Sequence, residues 1–144
     1  MIQVSDLLRG KSGFLWSIDA SATLMDTLNL LSEKDIGALP VLSDGKLVGI
    51  FSERDFVRVF SNDPTLPLES RVSEFMTKNV LTVTPLDSVE RCMKLMTEQH
   101  IRHLPVLDGD KMVGMVSIGD AVKLFVTDRE SFIRQLEDYI SGRW

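Results

Sequence analysis

Residues 36–55 read IGALPVLSDGKLVGIFSERD, and residues 101–120 read IRHLPVLDGDKMVGMVSIGD. The two stretches align at a constant offset of 65 residues, and the alignment continues without a gap from about Phe14 to Phe60. Self-similarity at a fixed period is the signature of a duplicated supersecondary unit. The sequence therefore predicts two copies of one unit, each ending on the pattern Ser-x-x-Asp.

The composition is that of a globular protein. Of the 144 residues, 44% are hydrophobic and 26% are charged, values close to the average for folded domains. Each copy has about 60 residues, a size that is marginal for independent folding. We therefore expect the two copies to share one core. By position we assign residues 1–65 to the first copy, 66–127 to the second, and 128–144 to a C-terminal helix.

Charge and hydropathy exclude several classes of protein. The net charge of −5 and the absence of a basic stripe argue against nucleic acid as the main partner, because phosphate binding needs clustered cations. The sequence has no basic N-terminus followed by an apolar run, and no apolar stretch approaches 18 residues, so we predict neither a signal peptide nor a membrane span. A cytoplasmic location is the expectation. The lone cysteine, Cys92, is interpreted as a small buried hydrophobe.

Each copy is predicted to run strand, helix, strand, strand, helix. In the first copy the strands are 14–18, 38–42 and 47–51, and a helix starts near Ser52. In the second copy, residues 80–83 and 112–116 are strands. Asp87 is the predicted N-cap of the second copy's first helix, with Glu90 completing a capping box. A short helical segment precedes each copy, at 4–8 and at 72–76; this second alignment has an offset of 68.

A C-terminal helix is predicted from four apolar residues at helical spacing. They are Phe132, Leu136, Tyr139 and Ile140. Nothing in the duplicated unit pairs with this helix. It either packs across a dimer or folds back on its own chain, and the sequence leaves both open.

The Ser-x-x-Asp pairs, Ser52/Asp55 and Ser117/Asp120, have two interpretations. A serine at an N-cap with an acidic residue three positions on is a capping box, which many helices have. Alternatively, the aspartate accepts hydrogen bonds from the vicinal hydroxyls of a ribose. The adjacent helix N-terminus would then attract a phosphate. Spacing alone favours capping.

The copies differ in their cationic residues. Arg102 and His103 stand where the first copy has Gly37 and Ala38, which predicts two unequal phosphate sites. Arg54 lies in the first turn of a helix, where a cation opposes the dipole, and so hints at a bound anion. Lys11 lies in a three-residue excess of the first copy and is a further cation. Trp16 is either a stacking surface or a core aromatic.

Catalysis and metal binding find little support in the sequence. There is no G-x-S-x-G elbow, no P-loop and no Rossmann glycine fingerprint, so we do not predict an enzyme. The two histidines, His100 and His103, lie at a helix-to-strand junction and not on one helical face. No metal is expected to be required.

Each copy contains an apolar residue, two variable residues and Leu-Pro-Val, followed by a short turn and Gly-h-h-Ser-x-x-Asp, where h is apolar. This duplicated pattern resembles a pair of cystathionine-β-synthase (CBS) domains. The resemblance covers about residues 4–125. It implies an α/β (α+β) module of tandem CBS repeats, with two small sheets and flanking helices related by a pseudo-two-fold axis. It further implies two clefts between the repeats, which commonly bind adenosine nucleotides.

The resemblance also implies which residues form each cleft. The first cleft would hold the ribose on Asp120 and comprise Lys11, Trp16, Ile36, Gly37, Ala38, Arg102, His103, Ser117, Gly119 and Asp120. The second would hold the ribose on Asp55 and comprise Ser52, Arg54, Asp55, Val80, Leu81, Ile101 and Arg102. With Arg102 and His103 near the phosphates, the Asp120 cleft is the better predicted nucleotide site.

With the resemblance, ligand binding becomes the preferred interpretation of Ser-x-x-Asp. The first hypothesis is a regulatory sensor of an adenine nucleotide: AMP first, with NAD, ADP or ATP as alternatives. The second is a ligand-independent protein-interaction module, and the third is a small enzyme. The resemblance also implies a homodimer. The sequence does not identify the protein that such a sensor would regulate.

Overall fold

The structure is a computed structural model that describes residues 2–11, 15–126 and 129–142. Among these residues the helices are α1 (Val4–Arg9), α2 (Leu24–Lys34), α3 (Glu53–Asn62), α4 (Val89–Gln99), α5 (Ile118–Phe125) and α6 (Arg129–Ser141). The strands are β1 (Ile18–Asp19), β2 (Ala38–Ser43), β3 (Lys46–Ser52), β4 (His103–Asp108) and β5 (Lys111–Ser117). Six α-helices and two small sheets confirm the predicted mixed α and β class.

The chain divides into two compact units. The Asp55 unit is Trp16–Val80, and the Asp120 unit is Met1–Leu15 together with Leu81–Trp144. The sheet of the Asp55 unit has the order β1-β2-β3, with β1 parallel to β2 and β2 antiparallel to β3. The sheet of the Asp120 unit is the antiparallel pair β4-β5.

Both hairpins have two-residue loops, as their sequences predict. Asp44 and Gly45 both have positive φ, 51° and 78°, the combination that a type I′ turn requires. In the second hairpin Gly109 has a φ of 63°, which glycine adopts without steric cost. These turns set the strand registers, and the registers bring Ala38 opposite Ser52 and His103 opposite Ser117.

Each unit has its own hydrophobic core, so the prediction of one shared core is wrong. In the Asp55 unit, Leu39, Val41 and Phe51 of the sheet pack with residues of α2 and with Val72. In the Asp120 unit, the sheet and α4 supply most of the core residues: Val89, Cys92, Met93, Met96, Leu104, Val106 and Val116. The reason lies in the helical segments that precede the copies, which enlarge both cores.

These preceding segments do not pack with the copy that follows them in sequence. Helix α1 precedes the first copy, yet its Val4 and Leu7 lie in the core of the Asp120 unit. The 3₁₀ turn Val72–Glu74 precedes the second copy, yet Val72 lies in the core of the Asp55 unit. Sequence repeats and compact units therefore differ in their boundaries.

A glycine lies beneath each of these segments. A Cβ on Gly49 of β3 would lie 2.4 Å from the Met76 sulfur and 2.9 Å from the Thr77 carbonyl oxygen. At the equivalent position of β5, a Cβ on Gly114 would lie 2.6 Å from a methyl carbon of Leu8. These glycines allow the close approach that closes each core over the sheet.

Two of the predicted strands are much shorter than expected. In the segment 14–18, Phe14 lies outside the described residues, and β1 begins only at Ile18. In the segment 80–83, Val83 alone forms a parallel bridge, with Val106. The physical reason in the second case is burial: Val83 lies in the core, whereas Leu81 is exposed.

The predicted cap of α4 is wrong by one residue. Ser88 is the N-cap, and its hydroxyl accepts the N–H of Arg91 at 3.0 Å. The Asp87 carboxylate instead accepts the N–H of Thr84 at 2.8 Å, within a turn in which the Asp87 N–H donates to the Thr84 carbonyl. Because Asp87 closes that turn, the Glu90 capping box does not form.

Helix α6 packs on its own chain along one side. Tyr139 packs against the core of the Asp120 unit, Leu136 is half-buried, and Ile140 is 75% exposed. The side chain of Phe132 lies outside the described residues. The contact of Tyr139 supports the folded-back alternative, while Ile140 leaves an apolar residue on the outer face.

Candidate functional site

Both Ser-x-x-Asp pairs lie where the last strand of a hairpin passes into a helix. Ser52 ends β3 and caps α3, and Ser117 ends β5 and caps α5. Each serine hydroxyl accepts the N–H of its aspartate, at 3.2 Å for Asp55 and 3.1 Å for Asp120. Each aspartate in turn accepts the serine N–H, at 2.9 Å and 3.0 Å. The capping-box interpretation is thus confirmed in both copies, with Asp in the position where Glu is commoner.

Capping uses only part of the Asp120 carboxylate. The oxygen Oδ2 accepts the Ser117 N–H and a second hydrogen bond from the Lys11 ammonium at 2.7 Å. The other oxygen, Oδ1, has no hydrogen-bond partner among the described residues. The side chain is 20% exposed. One carboxylate oxygen therefore remains available to accept a hydroxyl group from a ligand.

The Asp55 carboxylate is fully engaged by its own unit. Its Oδ2 accepts both the N–H and the hydroxyl of Ser52, at 2.9 Å and 3.0 Å. Its Oδ1 accepts the Arg58 guanidinium at 3.0 Å and the Thr77 hydroxyl at 3.3 Å. The side chain is 13% exposed. A ligand hydroxyl at Asp55 must therefore replace an internal hydrogen bond.

The environment of Asp120 favours its ionised form. Burial by itself raises the pKa of Asp120, but the hydrogen bonds from Lys11 and Ser117 and the charge of Lys11 together outweigh it. The pKa consequently lies below the usual value for an aspartate. An ionised carboxylate accepts hydrogen bonds at both oxygens and donates none, which suits it to bind hydroxyl groups.

Several predicted residues of the Asp120 cleft lie together within the Asp120 unit. The Arg102 carbonyl accepts the Ile118 N–H at 3.0 Å, and His103 lies opposite Ser117 in the strand register. Gly119 lies in the first turn of α5, with the Ser117 hydroxyl 3.8 Å from the position of a Cβ built there. Arg102 is exposed and His103 is half-buried. The unit thus brings Arg102 and His103 close to the N-terminus of α5 in the backbone, where the helix dipole favours an anion.

The corresponding residues of the Asp55 unit are smaller and make the same backbone contacts. The Gly37 carbonyl accepts the Glu53 N–H at 3.0 Å, and Ala38 lies opposite Ser52. Arg54 follows in the first turn of α3. Equivalent positions therefore carry Arg and His in one unit and Gly and Ala in the other, as the sequence comparison predicted.

Trp16 lies in the Asp55 unit and is not a core aromatic, because its residue is 38% exposed. The Lys34 ammonium lies 4.2 Å from the centroid of its ring, a cation–π contact. Trp16 and Ile36, predicted for the Asp120 cleft, thus belong to the Asp55 unit. Of the residues predicted for the Asp55 cleft, Val80 belongs to the Asp55 unit, whereas Leu81 and Ile101 belong to the Asp120 unit. The predicted grouping of these residues into two clefts stays a prediction.

Three contacts of the aspartates were not predicted from the sequence. Arg58 lies three residues after Asp55 on a helix, a spacing at which side chains meet, so this signal was present in the sequence. Thr77 directly follows the segment 72–76, and only the packing of that segment on β3 brings its hydroxyl to Asp55. The contact between Lys11 and Asp120 joins residues 109 positions apart and has no local signal.

The part of the chain that the structure describes contains neither a cluster of metal-binding residues nor a membrane-spanning helix. No group of three or more His, Cys, Asp and Glu residues there could hold a metal ion. His100 ends α4 in the left-handed conformation with a φ of 56°. Among the same residues, no helix is long and apolar enough to cross a membrane.

Comparison with known proteins identifies the family. The family model of the CBS domain matches the chain twice, over residues 14–62 and 72–127. The chain belongs to the CBS domain family. The resemblance drawn from the sequence is thus confirmed, as is the tandem arrangement of two CBS domains.

Similar proteins include stand-alone CBS-domain pairs. CBSX3, a mitochondrial CBS domain-containing protein of Arabidopsis thaliana, is 34% identical over 149 residues, which cover 96% of this chain and 72% of CBSX3. The structure of a CBS-domain protein of Burkholderia ambifaria matches with a TM-score of 0.83 at 38% identity, over 88% of this chain and 96% of that chain.

Two similar CBS structures contain ligands with an adenosine moiety. CBSX2 in complex with AMP matches with a TM-score of 0.77 at 27% identity, over 90% of this chain and 99% of CBSX2. The CBS domain pair of MJ0100, in complex with 5′-methylthioadenosine and S-adenosyl-L-methionine, matches with a TM-score of 0.77 at 26% identity, over 88% of this chain and 98% of that chain.

Two relatives are enzymes by name, both homoserine O-acetyltransferases, and the match covers less than a quarter of each. The chain is 35% identical to part of a homoserine O-acetyltransferase of Methanohalobium evestigatum but covers only 23% of that protein. This similarity concerns the CBS region and carries no acetyltransferase activity to the chain.

Proposed function

We propose that this CBS-domain pair is a regulatory sensor of an adenine nucleotide, with AMP as the first candidate, and that Asp120 accepts the hydroxyl groups of its ribose. The observation that carries the proposal is the half-open carboxylate. Asp120 is ionised, its Oδ1 has no partner among the described residues, and it lies in the first turn of α5. A vicinal diol supplies the O–H donors that such an oxygen accepts.

The charge around Asp120 favours a phosphorylated ligand. Lys11 lies 2.7 Å from the carboxylate, Arg102 precedes β4, and the α5 N-terminus adds partial positive charge. We propose that Lys11, Arg102 and His103 attract the phosphate, with Ser117 and Gly119 beside it. Trp16, Ile36, Gly37 and Ala38 are the proposed residues for the rest of the nucleotide.

The ligands of similar proteins support an adenosine moiety and do not separate the candidates. AMP, 5′-methylthioadenosine and S-adenosyl-L-methionine all contain adenine linked to a ribose with a vicinal diol, and so do ADP, ATP and NAD. Because 5′-methylthioadenosine has no phosphate, the ribose and the base are the elements common to all of them. This favours a ribose-binding aspartate as the central part of the site.

We propose that Asp55 is the weaker site. Its carboxylate has four internal hydrogen-bond donors, and the positions equivalent to Arg102 and His103 carry Gly37 and Ala38. Arg54 is its proposed phosphate contact, with Val80, Leu81, Ile101 and Arg102 as the remaining predicted residues. The expected stoichiometry is therefore one nucleotide per chain at moderate concentrations.

The proposal is tested by thermal unfolding with AMP, ADP, ATP and NAD. A ligand at 100 times its dissociation constant adds about 2.7 kcal/mol to the free energy of unfolding. We expect this increase for wild type and for Asp55→Asn, and its loss in Asp120→Asn, which keeps the shape of the side chain but not its charge. No shift with any of the four nucleotides at millimolar concentration would refute the proposed function.

A second candidate function is protein interaction independent of ligand. Two exposed apolar residues on α3 favour it, Val57 at 65% and Phe60 at 44% exposure, since apolar residues grouped on one helix face are typical of interaction surfaces. We propose that this face contacts a second copy of the chain in a homodimer. Light scattering of Val57→Glu tests this contact, since a homodimer through α3 becomes monomeric. An interaction module is distinguished from a sensor because its oligomeric state does not respond to nucleotides and survives Asp55→Ala combined with Asp120→Ala.

The location of the protein stays a prediction. The relative CBSX3 is mitochondrial by name, so the cytoplasmic location predicted from the sequence depends on the organism and on any targeting segment. A non-enzymatic role is likewise proposed because the described residues around Asp120 offer cations and a capping serine. Product analysis after incubation with each nucleotide tests it, with unchanged nucleotide as the expected result.

A further inference from the structure

Lys11 takes, in the Asp120 unit, the place that Thr77 takes in the Asp55 unit. Ile50 and Met115 are equivalent positions of β3 and β5. The Ile50 carbonyl accepts the backbone N–H of Thr77 at 2.9 Å, and the Thr77 hydroxyl donates to Asp55 at 3.3 Å. In the other unit the Lys11 ammonium donates to the Met115 carbonyl at 2.7 Å and to Asp120 at 2.7 Å. The Lys11 ammonium thus makes the two contacts that the backbone N–H and the hydroxyl of Thr77 make in the Asp55 unit.

The two arrangements differ in how readily they open. Thr77 and Ile50 exchange two backbone hydrogen bonds, of 2.9 Å and 3.0 Å, which fix the main chain of both residues. Lys11 is held through a long flexible side chain that is 36% exposed. Exposed ion pairs contribute little to stability because solvent competes for both groups. The Lys11 contact can therefore be released without breaking the sheet.

A ribose at Asp120 competes with Lys11 for the same oxygen. A vicinal diol that donates to both carboxylate oxygens needs Oδ1 and Oδ2. Oδ2 already accepts the Ser117 N–H and the Lys11 ammonium, and a carboxylate oxygen has about two acceptor sites. A single hydroxyl fits on Oδ1 beside Lys11, whereas a bidentate diol requires Lys11 to leave.

Release of Lys11 acts on the end of α1. Lys11 directly follows Gly10, the C-cap of this helix, and the N–H groups of Gly10 and Lys11 donate to the carbonyls of Leu7 and Leu8 at 3.1 Å and 3.2 Å. Leu7 is anchored in the core of the Asp120 unit. The body of α1 is thus fixed, and its last turn is the part that the Lys11 contact holds.

We propose that Lys11 is a latch, which binds Asp120 and the Met115 carbonyl in the free chain and is released when a ribose diol binds Asp120. Occupancy of the site then loosens the last turn of α1. This inference rests on the proposed nucleotide site and adds a regulatory element to it.

Hydrogen exchange tests the latch in the absence of ligand. Lys11→Met keeps the approximate length of the side chain and removes the ammonium. We expect the backbone amides of residues 10 and 11 to exchange about 2–5-fold faster in this variant than in wild type, as the loss of an exposed ion pair implies. Lys111→Met is the matched control, because it removes an exposed lysine from the start of β5 in the same unit; exchange at Gly10 is expected to stay unchanged. Unchanged exchange in Lys11→Met would overturn the latch.

Binding of nucleosides tests the competition. Adenosine has the vicinal diol, 2′-deoxyadenosine has only the 3′-hydroxyl, and neither has a phosphate that Lys11 could attract. We expect Lys11→Met to bind adenosine about 2–5-fold more tightly than wild type, from the same contact energy, and to bind 2′-deoxyadenosine equally well. Weaker binding of adenosine by Lys11→Met would overturn the latch and show that Lys11 contacts the nucleoside itself.

The failure of the latch is distinguishable from failure of the proposed function. If wild type binds AMP while the exchange of Gly10 and Lys11 is the same with and without AMP, the latch is wrong and the nucleotide site stands. If wild type binds no adenine nucleotide or nucleoside, the proposed function is wrong and the latch falls with it.

Discussion

The Asp55 unit and the Asp120 unit contain the same Ser-x-x-Asp motif, folded in the same way, with different partners for the aspartate. In both units the serine caps a helix and the aspartate closes the capping box. In the Asp55 unit, Arg58 and Thr77 use the remaining oxygen. In the Asp120 unit, Lys11 shares the oxygen that the cap already uses, and the second oxygen has no hydrogen-bond partner among the residues that the structure describes.

The difference teaches that a capping geometry shared by two motifs does not decide which further partners the two aspartates have. Both capping boxes form, since the cap needs only the serine and aspartate of one helix turn. Whether the carboxylate has a free oxygen depends on the segment that packs over the sheet from elsewhere in the chain. This difference underlies our proposal that Asp120 is the main ligand site and Asp55 the weaker one.

The largest effect that separates the two units is expected at their equivalent glycines. In Gly49→Ala the new methyl group meets the Thr77 carbonyl at 2.9 Å as well as Met76, and a carbonyl held by backbone hydrogen bonds yields little. Overpacking of this kind costs about 1–3 kcal/mol. In Gly114→Ala the methyl group meets only the flexible end of Leu8, so we expect the smaller cost. Urea unfolding of the two variants measures the difference.

The two glycine substitutions can also give the opposite result. Equal destabilisation by the two substitutions, or a larger cost for Gly114→Ala, would contradict the view that the segment over β3 is held more rigidly than α1 over β5. Gly10→Ala serves as a further reference, because a Cβ there lies 3.6 Å from its nearest neighbour, the Leu7 carbonyl oxygen.

A smaller effect is expected when the hydroxyl that occupies Asp55 is removed. Thr77→Val keeps the shape of the side chain and frees one acceptor site on Oδ1, at a cost of about 0.5–1.5 kcal/mol for the lost hydrogen bond. We expect this variant to bind a second adenine nucleotide per chain, at Asp55. Titration calorimetry with AMP gives the stoichiometry.

Thr97→Val provides the matched control for this experiment. The Thr97 hydroxyl donates to the Met93 carbonyl at 2.8 Å within α4, so its removal has a similar cost and leaves Asp55 unchanged. A stoichiometry of one in both variants would show that Thr77 does not limit binding at Asp55.

The smallest effect concerns pH. Because the pKa of Asp120 is lowered in the folded chain, its ionised form stabilises the fold above the pKa of the unfolded chain, about 4, and this contribution is lost as the pH falls through the lower folded value. In Lys11→Met the burial remains and the lysine bond is gone, so the pKa of Asp120 rises. The expected change in stability at neutral pH is below about 1 kcal/mol.

Carboxyl-carbon NMR titration of wild type and Lys11→Met between pH 2 and 6 measures this shift, with Lys111→Met as the control for loss of one positive charge. A pKa of Asp120 that is the same in wild type and Lys11→Met would contradict the contact between Lys11 and Asp120 in solution.

Much of the fold was predictable because its signals are local. The turn residues Asp44 and Gly45 specify a hairpin, and Ser52 and Ser117 specify helix starts, through interactions that span a few residues. Errors arose where local signals compete or are weak. Asp87 and Ser88 are both good N-caps, and only the turn at Thr84 decides between them. The apolar segment 80–83 resembles a strand, yet Val83 alone pairs.

The sequence by itself determined the duplicated unit, its hairpins, its capped helices and the asymmetry between Gly37-Ala38 and Arg102-His103. Tertiary structure alone decided which segment covers which sheet, and with it the contacts of Thr77 with Asp55 and of Lys11 with Asp120. The physical reason is range: hairpins and caps depend on neighbours in sequence, whereas Lys11 reaches Asp120 across 109 residues. That contact exists because α1 buries Val4 and Leu7 in the core of the Asp120 unit, an outcome of packing that no local pattern records.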